Sequence, residues 1–234
     1  MTGDYRLGIL GGTFDPIHLG HLAAAEAART THGLDRVLLV PSHHPPHRSG
    51  PRVSGYHRFA MVALAVSARD GLLASDIELT SEARSYTWNT LKRLRAGGLA
   101  ASQLFFIAGA DAFAEIATWK NYPAILDLCH FVVIARPDHP LEALRARLPD
   151  LSDRMREASG SGTTIDRAGP AGHETPRVFL VGARTPSVSS TEIRRRASAG
   201  EPLAGLVPPE VERYIGRHGL YKGSGGFSVG NLHE

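Results

Sequence analysis

The chain has 234 residues, 42% of them apolar and 21% charged, which is ordinary for a soluble globular protein of one large domain or one domain with a small appendage. The net charge of +3 is too small an excess to argue by itself for nucleic acid. No apolar run approaches the roughly 20 residues of a membrane span, and Cys129, the only cysteine, excludes an intrachain disulfide and fits a reducing, cytoplasmic setting.

The first expected strand is Arg6–Leu10, with no signal-peptide pattern ahead of it. It runs into Gly11-Gly12-Thr13-Phe14-Asp15-Pro16-Ile17-His18-Leu19-Gly20-His21 and then an alanine-rich helix, Leu22–Thr31. Adjacent glycines let the backbone turn tightly and approach a ligand closely. A helix N-terminus offers unpaired N–H groups and partial positive charge to an anion. Pro16 fits near such a start, with Asp15 or Thr13 as the cap. His18 and His21, three apart, share a helix face, and each imidazole can donate to a phosphate oxygen. Phosphate chemistry is the expectation. A capped helix with two surface histidines and a metal pair needing one further ligand remain open.

Strand Arg36–Val40 leads to Pro45-Pro46-His47-Arg48, a stiff loop presenting two basic side chains. Helix Tyr56–Ala68 follows. Ser85-Tyr86-Thr87 then opens helix Thr87–Leu94, with Ser85 or Thr87 as cap and N–H groups able to receive a carboxylate. Strand Gln103–Ala108 ends at Gly109-Ala110-Asp111, where the carboxyl can meet a sugar hydroxyl, meet a metal–phosphate complex or cap the next helix. Helices are expected over Ala112–Ile116 and Tyr122–Leu128. Trp119 between them is a core residue or a stacking platform, and Cys129 is a small core filler.

Strand Phe131–Ala135 precedes Arg136 and helix Leu141–Arg147. Residues Ser152 to Pro176, rich in Gly, Ser, Thr and Pro, read as a mobile surface loop before the last strand, Val178–Val181. Two closing helices, Ser189–Ala199 and Pro209–His218, form a small C-terminal helical part, and residues 223–234 read as a flexible tail. Ser189 or Ser190 can cap the first of these helices, and Arg194 lies one turn in, able to reach a polyphosphate with its fork. Short apolar strands alternating with helices imply an α/β fold: a Rossmann-like, doubly wound parallel sheet. In such sheets ligands sit beyond the C-terminal strand ends at the switch point.

Taken together, these residues resemble the nucleotidyltransferase superfamily with a His-x-Gly-His signature, here His18-Leu19-Gly20-His21, and a Ser-Ser-Thr-x-Ile-Arg segment, here Ser189 to Arg194. Gly11 to His21, Pro45 to Arg48, Ser85 to Thr87, Gly109 to Asp111 and Trp119 look like the bacterial nicotinate mononucleotide adenylyltransferases, over about Leu7 to Lys222. The resemblance implies a single nucleotidyltransferase domain over residues 1–222. It implies transfer of AMP from ATP to nicotinate mononucleotide, giving nicotinate adenine dinucleotide and pyrophosphate, with Mg2+ accompanying ATP and no protein nucleophile. By it, His18, His21 and Arg194 are catalytic. Gly11, Gly12, Thr13, Phe14, Gly109, Asp111, Ser189, Ser190 and Thr191 meet ATP. His47, Arg48, Tyr86, Thr87, Trp119 and Arg136 meet the acceptor, Trp119 by stacking on the pyridine and the Tyr86 and Thr87 N–H groups by reading its carboxylate. A sister adenylyltransferase using nicotinamide mononucleotide or pantetheine phosphate would keep both phosphate motifs. A non-catalytic nucleotide binder would not need both histidines and Arg194. The sequence leaves a homo-oligomer open.

Overall fold

A computed structural model describes residues 5–45, 50–135, 141–158, 176–183 and 185–222. Strands β1 (Leu7–Gly12), β2 (Arg36–Pro41), β3 (Leu72–Ala74), β4 (Leu104–Gly109), β5 (His130–Ala135), β6 (Met155–Ala158) and β7 (Val178–Gly182) form one sheet in the order β3-β2-β1-β4-β5-β7-β6. Every pairing is parallel. The helices are α1 (Leu19–His32), α2 (Gly55–Val66), α3 (Thr87–Ala96), α4 (Ala110–Phe113), α5 (Leu141–Arg147), α6 (Ser190–Ala199) and α7 (Pro209–Arg217).

The strands are continuously apolar because both faces of the sheet are covered. Along β4, Phe105 and Ile107 pack with Leu22 of α1, Met61 of α2, Ile193 of α6 and Val211 of α7. Leu104, Phe106 and Ala108 point the other way and pack with Leu91 of α3, Phe113 of α4 and Leu144 of α5. The strand order reverses between the parallel neighbours β1 and β4, so their C-terminal ends, Gly11-Gly12 and Gly109, open the crevice where such sheets take ligands. Among the described residues no helix is long and apolar enough to cross a membrane.

Several expectations change. β3 is three residues long, too short for a period to register. The segment expected as a loop from Ser152 does not begin there. Residues Pro149–Arg154 form a 3-10 helix and Met155–Ala158 add an edge strand, held by burial of Leu151 and Met155. Residues 159–175 of that segment, and the tail from 223, lie outside the described residues. The expected helix Ala112–Ile116 is the four-residue α4 followed by a 3-10 turn at Ile116–Thr118, and Tyr122–Leu128 contains only a 3-10 turn at Ala124–Asp127. Cys129 is fully buried, and burial pushes its thiol pKa up, as suits a core filler.

Candidate active site

The first helix starts earlier than its alanines suggest, and its cap is neither Asp15 nor Thr13. His18 is the N-cap: its backbone is extended and its Nδ1 accepts the N–H of His21 at 3.3 Å. An Nδ1 that accepts carries no proton, so His18 is a neutral imidazole with its proton on Nε2, which makes Nε2 a donor. The two rings stack with centroids 3.6 Å apart and planes 22° from parallel, and the edge of Phe14 lies against His21 at 5.0 Å. His18 and His21 come together through this cap rather than through the i, i+3 helix face, because His18 precedes the helix.

The α1 terminus itself has little left for an anion. The Leu19 N–H donates to the Leu206 carbonyl at 2.9 Å and the His21 N–H to His18, which among the described residues leaves that of Gly20. The side chains, more than the helix terminus, carry the motif's donor capacity.

Gly20 is where His18 depends on the absence of a side chain. A Cβ there would lie 3.1 Å from His18 Cε1 and Nδ1 and 3.2 Å from the Pro186 carbonyl oxygen. The carbonyl cannot yield, so the imidazole must. If His18 donates to a reacting phosphate, Gly20→Ala is expected to cut kcat about tenfold or more, since a misplacement of about 1 Å can cost about a hundredfold. Steady-state turnover checks it, and a rate within twofold of the parent would show that His18 does not need this position.

Phe14 does not reach the crevice. It is 2% exposed with φ 48°, and its ring closes against Gly12. Its ring supports His21 from the side, edge-on at 5.0 Å. Gly11 and Gly12 end β1, and the Thr13 carbonyl accepts Arg58 Nη1 at 2.7 Å.

The second motif is tied directly to the first. Ser189 caps α6, its Oγ accepting the Glu192 N–H at 3.2 Å. Ser190 Oγ donates to the Pro16 carbonyl at 2.9 Å, and this hydroxyl joins the two motifs. The first-turn N–H groups of Ser190 and Thr191 stand outside the intrahelical ladder. Arg194 Nη1 donates to the Asp15 carbonyl at 2.7 Å and Nη2 to Thr191 Oγ1 at 3.1 Å. The adjacent arginines turn elsewhere: Arg195 and Arg196 bond Glu192 and hold its carboxyl down at about 2, while Arg195 also bonds Glu201. Of three consecutive arginines, Arg194 is the one joined to the glycine turn.

On the acceptor side, Ser85 does not cap α3. Its Oγ accepts the N–H groups of His43 at 2.8 Å and His44 at 3.1 Å, stitching the chain after β2 to the start of α3. Tyr86 is the N-cap with no side-chain cap bond, and its own N–H donates to the Arg84 carbonyl at 2.8 Å. That N–H is taken, and the first-turn N–H of Thr87 remains. Trp119 is half-buried, packed edge-on to Phe106 at 5.8 Å, and the Lys120 ammonium lies 4.7 Å from the centroid of the Tyr86 ring. Asp111 is exposed in the first turn of α4 and folds back over Gly109, where a Cβ would come 2.5 Å from Asp111 Oδ1. His47, Arg48 and Arg136 lie outside the described residues.

Sequence reasoning missed the groups beneath the glycine turn. Arg58 is 1% exposed and lies near the Asp15 and Glu78 carboxyls, whose charge opposes the fall in its pKa that burial causes. Asp15, considered only as a cap, is 5% exposed and accepts the Arg52 N–H and the Tyr221 hydroxyl. No local pattern links residues 15, 58 and 221, so nothing short of the fold could have found them.

Residues 9–196 match the model of the cytidylyltransferase-like family. The chain is 41% identical over 221 residues to a probable nicotinate-nucleotide adenylyltransferase of Desulfatibacillum aliphaticivorans, covering 92% of this chain and 99% of that relative. It is 40% identical over 217 residues to one of Pseudomonas fluorescens, covering 93% and 97%. Its fold matches the Plasmodium falciparum nicotinic acid mononucleotide adenylyltransferase complexed with NaAD, with a TM-score of 0.69 at 17% identity over 93% of this chain and 97% of that one.

Proposed function

The chain belongs to the nicotinate-nucleotide adenylyltransferase family of cytidylyltransferase-like proteins, and from that premise we propose how its residues divide the work. The reaction is transfer of AMP from ATP to nicotinate mononucleotide in NAD biosynthesis, releasing pyrophosphate. The observation that carries the reading is the direct joining of the two phosphate motifs, Ser190 to Pro16 and Arg194 to Asp15, at the open ends of β1 and β4.

A phosphate oxygen of the acceptor attacks the α-phosphorus of ATP in line, the new P–O bond forms as the bond to the bridging oxygen breaks, and the electron pair leaves with pyrophosphate. No side chain is needed as nucleophile, so the protein acts by positioning and by stabilising charge that grows in the transition state. His18 donates from Nε2, His21 stands stacked beside it, and Arg194 with the first-turn N–H groups of α6 holds the departing phosphates. Gly11, Gly12, Gly109 and Asp111 border the nucleotide. Thr87, Trp119 and Lys120 face the pyridine carboxylate.

Mg2+ suits this site as a companion of ATP. Among the described residues no group of three or more His, Cys, Asp or Glu side chains could hold an ion alone, and Asp111 is the carboxyl at the strand end. The ion screens the pyrophosphate charge when bound.

A turnover assay with nicotinate mononucleotide, nicotinamide mononucleotide and pantetheine phosphate tests the acceptor. The carboxylate gains a charge-assisted bond from Thr87 and attraction from Lys120 that the amide lacks. The acid is expected to win in kcat/KM by roughly a hundredfold or more. Preference for either other acceptor would sink the assignment.

A further inference from the structure

The buried Asp15 carboxyl sits where three separate parts of the chain meet, and the adenylyl-transfer reading leaves it unexplained. Its Oδ2 accepts the Arg52 N–H at 2.7 Å, from the segment that enters α2. Its Oδ1 accepts the Tyr221 hydroxyl at 2.8 Å, from the chain four residues past the end of α7. Its backbone carbonyl accepts Arg194 Nη1 at 2.7 Å. Both carboxyl oxygens act as acceptors, and the one side-chain donor among their partners is a phenol 206 residues away in sequence.

Tyr221 is held for this contact. Its φ is 66°, in the left-handed region that a side chain with a Cβ disfavours, so the surrounding structure must over-determine it. Its ring packs beside the core that α1, α2, α6 and α7 share. A buried hydroxyl that donates to a carboxylate resists rotation, because swinging away would leave both groups without partners.

We propose that Tyr221 is a positioning residue for adenylyl transfer: its hydroxyl clasps Asp15, and Asp15 in turn fixes Arg194 through its backbone carbonyl and the Arg52 backbone, ahead of α2, through Oδ2. The inference rests on the adenylyl-transfer reading for its kinetic consequence alone, since the clasp itself is a structural fact. Burial and the neighbouring Asp15 both push the phenol pKa up, so the hydroxyl keeps its proton and stays a donor across the working pH range. The nearby Arg58, donating to the Thr13 and Val53 carbonyls, fixes the turn from below.

The test uses the full chain and Tyr221→Phe, which removes one oxygen and keeps the ring. KM for ATP is expected to rise about fivefold to tenfold, because Asp15, whose backbone carbonyl holds Arg194, is no longer clasped at Oδ1. Tyr214→Phe, which removes an α7 phenol bonded to His57 of α2, is the control and leaves both kinetic constants unchanged. In an Arg194→Ala background the added effect of Tyr221→Phe on KM for ATP should vanish, as two links of one chain do not add. A purely structural tyrosine would keep its full effect there, and that result overturns the proposal, as does a Tyr221→Phe KM within twofold of the parent. Amide hydrogen exchange at Arg52 supplies a readout independent of substrate: about tenfold faster exchange in Tyr221→Phe supports the clasp, and unchanged exchange counts against it. If the parent fails to turn over nicotinate mononucleotide while Arg52 exchange still responds, the acceptor reading fails and the clasp survives.

Discussion

Replacing His18 by alanine is expected to lower kcat by roughly a hundredfold to a thousandfold, with a much smaller change in KM for ATP, which is the measured range for losing one preorganised donor to developing negative charge. The expectation rests on the tautomer. His18 Nδ1 accepts a backbone N–H, so the ring proton is on Nε2 and is aimed away from the cap. The ring is 3% exposed, and water there cannot readily take the place of the lost donor. The same substitution removes the N-cap of α1, costing about 1 kcal/mol of stability, so kinetics must be read beside a melting curve. His18→Asn separates the two effects: asparagine is a good cap yet lacks a donor at the reach of Nε2. It should keep stability near that of the parent and still lose most of kcat. Full activity in His18→Asn would show that the imidazole matters only as a cap.

Acid should unfold the protein through two histidines far from the crevice. His32 ends α1 and His130 begins β5, each nearly fully buried, both stacked among Phe105 and Phe179. His130 Nδ1 accepts the Arg177 N–H at 3.0 Å, and among the described residues neither nitrogen of His32 has a hydrogen-bond partner. Burial, with Arg6 adding repulsion, drops His32 to about 4, and burial, with His32, Arg177 and Arg6, drops His130 to about 4. An unfolded histidine takes up its proton near pH 6.5. Between these values the unfolded chain binds more protons than the fold does. Stability is therefore whole above about pH 6.5 and drains as pH falls toward 4.

Each histidine contributes up to about 3 kcal/mol to that loss, and the pair less than twice as much, because part of the His130 depression is repulsion from a charged His32. Denaturant unfolding at intervals from pH 7 to 4 measures the slope. His32→Leu replaces an unbonded buried ring by an apolar side chain and should flatten the slope by roughly half. An unchanged slope in this variant would remove His32 from the account.

Much of the site could be read along the chain because its motifs are local. Gly11 to His21 and Ser189 to Arg194 each spell a strand or loop end followed by a helix start, and the structure sets both beside the end of β1. The strand pattern was equally legible, since helices on both faces force continuous apolar runs. The failures share one cause. β3 and β6 are three and four residues long, and their pairing with β2 and β7 rather than any period defines them. The same holds for what the fold does with two side chains of the motifs: that of Phe14 lies in the core and that of Ser190 bonds Pro16, contacts no local pattern announces.

The sequence alone determined the kind of chemistry, because glycine turns, helix caps and donor side chains act within a few residues of one another. Tertiary structure decided which copies of a repeated residue take part. Arg194 meets Asp15 while Arg195 and Arg196 pair with glutamates, and Asp15 is held by a tyrosine from the far end of the described chain. Hydrogen bonds act over about 3 Å in space whatever the separation in sequence, so only the folded chain settles which of these partners meet.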